Sequence, residues 1–298
     1  MDAEKSEKLC IRNRGPGVFG TWTARNAVLL QTLTKEHTML RIAAFSTTAL
    51  TLSLSAASAA PAIGLVGDKT LVMFDTETLA VSGTMEVSGV DSLLGLDLRP
   101  ADKTLVGVTP DMAIVSIDPA TGAATEMSMM DTALPVGDMP VIVDFNPMAD
   151  KLRFMSGTTN HRVDVDSGAV TVDGSLDWQE GDMHVGEMPA IAAAAYINSH
   201  GKPESTAMFD IDSTIVAVIQ QVSPNDGTLG AIGKLGIKDP ADTYAFDIQT
   251  TEAMENTGWL VNGMTLYSVD LETGAATEVG AIEGVDGAIR DITILPAM

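Results

Sequence analysis

The chain has 298 residues, with 17 Lys and Arg against 40 Asp and Glu, for a formal net charge of −23. Such a surface repels phosphate backbones and anionic lipid heads, so nucleic-acid binding and electrostatic docking on membranes are disfavoured, while cations and cationic partners are favoured. Hydrophobic residues make up 45% and aromatic residues only 4%, so a sizeable core is expected to rest on aliphatic side chains and methionine.

In chain order, residues 1–38 show no clear periodicity. They read as an over-annotated N-terminal extension before a start at Met39, or as a long n-region of the segment that follows. In that segment Arg41 precedes an uncharged apolar run from Ile42 to Leu54, and Ala57-Ser58-Ala59 supplies the small-x-small pattern of a signal-peptidase site. The run is too short to span a bilayer, so residues 39–59 are expected to be a secretory signal peptide cleaved after Ala59. The processed chain, 60–298, would be periplasmic or secreted and would keep no membrane span. Seven of the basic and four of the acidic residues precede residue 60, leaving 10 against 36. The only cysteine, Cys10, is lost too, so neither a disulfide nor a thiol nucleophile is expected.

From residue 60 onward the chain repeats itself. An apolar strand, then Asp, two residues, Thr or Ser, often Gly, and another strand recur at Asp75/Thr78, Asp118/Thr121, Asp164/Ser167 and Asp270/Thr273. A fifth copy, Asp210/Ser213, is ambiguous in register. An Asp side chain accepts a hydrogen bond from the backbone two residues on, and Gly122, Gly168 and Gly274 can take the positive φ that closes a hairpin. Interleaved with these turns is a short strand bearing Asp and often followed by Pro, at Asp97, Asp144, Asp247 and Asp291, with Tyr196 of "AAAYINS" in the corresponding place. "PAIAAAAYINS" is also the best helix candidate, but the repeat requires a strand there.

Together these give about four short strands every 45 to 60 residues, the signature of propeller blades. Blades are expected at 92–130, 140–176, 188–234 and 243–281. Residues 62–88 supply only three strands, and Ile289–Leu295 supply the missing fourth. The expected fold is therefore all-β, a single five-bladed propeller of four-stranded blades over 60–298, closed by pairing of the C-terminal strand with the first blade. A sandwich of the same strands is the alternative.

The segments "LLGLDLRPADKTLVGV", "VDFNPMADKLRFMS", "NHRVDVDSGAV", "AAAYINS" and "LYSVDLETGAATEVG" resemble a bacterial family, the domain of unknown function 4394, across nearly all of residues 62–296. The resemblance implies an exported propeller-type protein and brings no activity and no catalytic residues.

Two sets of residues are candidate sites. Asp97, Asp144, Asp247 and Asp291 share a register on what should be the innermost strands, where alternate side chains face the central channel. Four carboxylates there could hold a hard cation such as Ca²⁺, or they could pair with arginines and cap backbone amides. The processed chain has only four arginines, Arg99, Arg153, Arg162 and Arg290, all in or beside repeat strands. They could form buried bidentate pairs with Asp or recognise an anionic ligand at the channel mouth. The acidic turns at Asp164 and Asp210 lack the full calcium-loop pattern. Met127, Met129, Met130, Met139, Met148 and Met155 read as core and loop residues rather than a copper site.

His161, His184 and His200 have no metal-ligand spacing, and no nucleophile elbow, zinc helix, phosphate loop or dinucleotide fingerprint is present. The expected function is a non-catalytic binding or interaction module for an exported ligand or protein. The alternatives are a Ca²⁺-assisted hydrolase or lyase on extracellular carbohydrate or similar material, and a structural surface protein.

Overall fold

Twenty-one strands run through the described residues, 60–296, of the computed structural model. The expected extension 1–38 and signal peptide 39–59 lie outside the described residues. Five small sheets form a ring. Blade 1 holds β1 (Pro61–Val66), β2 (Thr70–Asp75) and β3 (Val81–Glu86); blade 2 holds β4 (Gly95–Leu98), β5 (Leu105–Val108), β6 (Ala113–Ile117) and β7 (Ala124–Met129). Blade 3 holds β8 (Val141–Asn146), β9 (Lys151–Ser156), β10 (Thr159–Val163) and β11 (Val170–Val172). Then come β12 (Asp177–Trp178), β13 (Ile191–Tyr196), β14 (Met208–Asp212), β15 (Ala217–Ser223) and β16 (Thr228–Lys234) of blade 4. Blade 5 holds β17 (Tyr244–Thr250), β18 (Asn256–Asn262), β19 (Thr265–Val269) and β20 (Ala276–Ala281), and β21 (Ile289–Ile294) ends the chain.

Within each blade the strands meander antiparallel from the inside outward, joined mostly by short turns. The ring closes as the sequence predicts: β21 pairs antiparallel with β1, Ile292 opposite Gly64, and so becomes the inner strand of blade 1. Closure removes the free inner edge that β1 would otherwise present. Blade 4 departs from the four-strand expectation, because β12 adds to the outside of β16 in parallel.

The core lies between blades, not at the centre. Five apolar clusters occupy the five gaps between neighbouring sheets; Phe145, Leu152 and Phe154 of blade 3, for instance, pack on Val106, Val108 and Ile114 of blade 2. The strand β13, Ile-Ala-Ala-Ala-Ala-Tyr, is extended despite the helical preference of alanine. All six residues are buried, and small side chains fit where five inner strands converge.

The repeated turns follow the sequence. Asp118, Asp164 and Asp270 each accept the backbone N–H two residues on, at 2.9, 3.1 and 2.9 Å, and Gly122, Gly168 and Gly274 take φ of 71°, 74° and 77°. In the ambiguous fifth copy the turn residue is Asp212, which accepts from Thr214 and Ile215 N–H; Asp210 points into the core and bonds Gln221.

Candidate functional site

The inner strands of neighbouring blades do not pair with one another, so their backbone groups facing the axis need other partners. Aspartates supply them. Asp97 on β4 accepts the N–H of Phe145 on β8 at 2.8 Å, Asp144 on β8 accepts that of Tyr196 on β13 at 3.0 Å, and Asp247 on β17 accepts that of Ile294 on β21 at 2.5 Å. Asp97 and Asp247 also accept the N–H of the residue that follows each.

This pattern fixes which residues are equivalent. Each acceptor sits one residue before the donor of the next strand, so the register is Asp97, Asp144, Ala195, Asp247, Thr293. The sequence expectation placed Tyr196 and Asp291 in it. Asp291 lies two residues earlier on β21, on the same face but one layer away, and accepts the Leu96 N–H at 2.7 Å. Thr293 takes the fifth position: its hydroxyl accepts the Leu98 N–H at 3.2 Å and donates to Asp97 at 2.8 Å. Gly95 explains the close approach of Asp291, because a Cβ there would lie 2.7 Å from the Asp291 carboxylate.

Oxygens of Asp97, Asp144 and Asp247 all lie within 4.8 Å of one another, and all three residues are buried. None of the ion pairs among the described residues involves them or Asp291. Burial, then mutual repulsion, pushes Asp97 and Asp144 well above the ordinary carboxylate range. Burial pushes Asp247 up to about 6 and Asp291 up to about 7, against the opposing pull of their backbone donors. A cavity of about 30 Å³, bordered by Asp97, Asp247, Thr293, Lys103 and His200, adjoins the cluster.

The donor set fits a hard cation. Ca²⁺ takes oxygen ligands at about 2.4 Å, so oxygens separated by no more than twice that distance can share one ion. Asp97, Asp144 and Asp247 would hold it, and its charge would replace the counter-charge that the protein does not supply.

The arginines are dispersed and engaged. Arg99 forms a bidentate pair with Asp150 at 2.8 and 2.7 Å and reaches Asp166, tying turns of blades 2 and 3 together. Arg153 is 1% exposed and bonds Asn160, Asp173, Asn225 and the Tyr196 hydroxyl. Arg162 grips both oxygens of Asp173 through two bonds, sharing Oδ2 with Arg153. Arg290 donates to the carbonyls of Gly67, Asp68, Leu93 and Leu94. None of the four lines the channel cavity. Sequence reasoning missed Thr293 and Asp173; the Pro three residues after each of Asp97, Asp144 and Thr293 is the signal that would have found Thr293.

The family described as Domain of unknown function (DUF4394) matches residues 70–293. The chain belongs to this family. No curated protein matches it in sequence. Among solved structures, a structural genomics protein of unknown function from Bacteroides thetaiotaomicron is 14% identical, with a TM-score of 0.45, over 80% of this chain and 65% of that one. A protein of unknown function from Bacteroides caccae is 13% identical, with a TM-score of 0.41, over 77% and 76%. An auxiliary nutrient binding protein from Bacteroides ovatus is 12% identical, with a TM-score of 0.42, over 72% and 57%. The chain thus spans less than two thirds of the first and third of these. No helix among the described residues of this family member is long and apolar enough to cross a membrane.

Proposed function

We propose that this family member is an exported, non-catalytic binding module whose propeller is completed by a divalent cation, Ca²⁺, held in the channel by Asp97, Asp144 and Asp247. The observation that carries this reading is the convergence of three buried carboxylates with no basic partner. Uncompensated buried charge is costly, so such a cluster either keeps protons or takes a cation. At neutral pH a cation satisfies all three while leaving their bonds to Phe145, Tyr196 and Ile294 intact.

The small cavity weighs against the hydrolase or lyase alternative. About 30 Å³ accommodates a water or an ion, not a sugar ring beside the carboxylates. Export rests on the targeting pattern of residues 39–59. The test is elemental analysis of the purified protein, with calorimetric titration of Ca²⁺ into chelator-treated protein. Stoichiometric binding that Asp144→Asn abolishes supports the site. Absence of both metal and binding would leave the aspartates as protonated framework and the molecule as a metal-free module.

A further inference from the structure

A loop, residues 179–190, joins β12, the outermost strand of blade 4, to β13, its innermost. It is fastened to β16: the Gln179 N–H donates to the Leu229 carbonyl at 2.8 Å, and Asp182 Oδ2 accepts the Ala231 N–H at 2.9 Å. Two turns follow. The Val185 N–H donates to the Asp182 carbonyl at 3.3 Å and the Glu187 N–H to the His184 carbonyl at 2.9 Å, with Gly186 at φ of 85° in the second. This loop presents Met183 and Met188, which at 84% and 82% exposure are the two most exposed large apolar side chains among the described residues. Side chains so exposed bury little apolar surface, so core packing does not account for them.

Between the two methionines stands His184, held on two sides. Its Nδ1 lies 2.8 Å from Glu187 Oε2, and its ring lies 5.0 Å from that of the buried Trp178, tilted by 39°. A carboxylate only accepts, so Nδ1 carries the proton of the neutral ring and Nε2 carries the lone pair. That Nε2 is reached by solvent and has no partner among the described residues. An imidazole with one nitrogen tied to a carboxylate and the other bare has the arrangement of a metal ligand. The histidines share no metal-ligand spacing with one another; the further donors beside His184 are thioethers. Met183 is adjacent in the chain, and Met188 follows Glu187, which the second turn brings to His184. A turn holds its end Cα atoms within about 7 Å, so the Met188 Cα lies within about 11 Å of that of His184, a gap that the two long side chains can span by meeting on one ion. No Lys or Arg occurs between Arg162 and Lys202, while the loop carries Glu180, Asp182 and Glu187, so its field favours a cation.

We propose that this loop binds a soft monovalent cation, Cu(I), through Met183 Sδ, Met188 Sδ and His184 Nε2, with Glu187 positioning the imidazole. Thioether and imidazole donors suit a soft ion, whereas Ca²⁺ and Mg²⁺ take oxygens. The site shares no residue with the channel carboxylates, so either can fail without the other.

The experiment titrates Ag(I), a redox-stable stand-in for Cu(I), into the full chain carrying Cys10→Ser, so that no thiol competes, in chloride-free buffer. Methionine methyl NMR and tryptophan fluorescence read the site, since Trp178 lies against His184. Shifts of the Met183 and Met188 methyl signals at one equivalent are expected, with fluorescence quenching and no displacement by excess Ca²⁺. Met183→Leu/Met188→Leu, which keeps the apolar volume, should weaken binding by about 100-fold or more, and Glu187→Ala by about 10-fold. A thermal melt of each variant shows that it is folded. Methyl signals of Met183 and Met188 that stay unmoved, unchanged affinity in the folded double variant, or displacement by Ca²⁺ would each overturn the proposal.

Discussion

Asp97 on β4 holds the backbone of Phe145 on β8 at 2.8 Å, a side-chain bridge across a gap that no β-ladder spans. Asp144 and Asp247 repeat it toward the next inner strands, and Thr293 makes the fourth link. The channel aspartates thus serve as framework, and the proposed cation would give Asp97, Asp144 and Asp247 a second role; each role has its own measurable consequence.

Asparagine at position 144 keeps an oxygen for the Tyr196 N–H and removes one charge. In chelator, Asp144→Asn is expected to raise the melting temperature at pH 8 by relieving repulsion among the three carboxylates. With Ca²⁺ at about 100 times its Kd, the parent should gain roughly 2.7 kcal/mol and the variant almost nothing. A differential scanning fluorimetry series in chelator and in Ca²⁺ reads both effects. A variant that melts below the parent in chelator and gains as much from Ca²⁺ would contradict the assignment.

Asp210 is fully buried, with Gln221 as its hydrogen-bonding partner, and burial raises it to about 7. Its folded value lies above the unfolded one near 3.9, so the folded state binds the extra proton between those values. The associated stability is full below about pH 4 and is lost as pH rises through 7. Asp210→Asn should abolish this slope and stabilise the protein at pH 8 by an amount on the order of 4 kcal/mol. Urea unfolding at pH 5 and pH 8 checks the sign. A parent more stable at pH 8 than at pH 5 in chelator would refute it.

Arg153 is buried against Asp173, Asn160 and Tyr196. Replacing it with Met leaves the Asp173 carboxylate, itself 5% exposed, with Arg162 alone. The expected loss is about 3–5 kcal/mol, read from denaturant midpoints. A loss below about 1 kcal/mol would mean that the network adds little to the joint between blades 3 and 4.

A Cβ at Gly168 would lie 1.9 Å from the Met129 carbonyl oxygen, and the residue has φ of 74°. Gly181 has φ of 87° but open space around it. Gly168→Ala should therefore cost more than about 3 kcal/mol, against about 1 kcal/mol for Gly181→Ala, where only backbone conformation is at stake. Thermal melts of the two variants separate steric contact from strain.

Removing residues 289–298 deletes β21, exposes the inner edge of β1 and takes away the partners of Asp97 and Asp247. The truncated chain is expected to lose its cooperative melt and to associate through the open edge. A monomeric, cooperatively folding truncation would show that ring closure is dispensable.

What the sequence determined by itself was set by short-range chemistry. Asp and Gly at fixed offsets specify hairpins, alternation specifies strands, and a three-strand beginning with a one-strand end specifies closure, since unpaired edges are unfavourable. The five blades and the turns at Asp118, Asp164 and Asp270 were legible on those grounds. Only the tertiary structure decided which axial residues meet. The register of separate inner strands is set by packing between blades, so Thr293 rather than Asp291 shares the level of Asp97, and Ala195 rather than Tyr196 completes it. Likewise Asp173, an unremarkable acidic residue along the chain, becomes the shared partner of Arg153 and Arg162, and Asp210 becomes a core carboxylate while Asp212 makes the turn. Burial and through-space charge create these roles, and neither is written in local spacing.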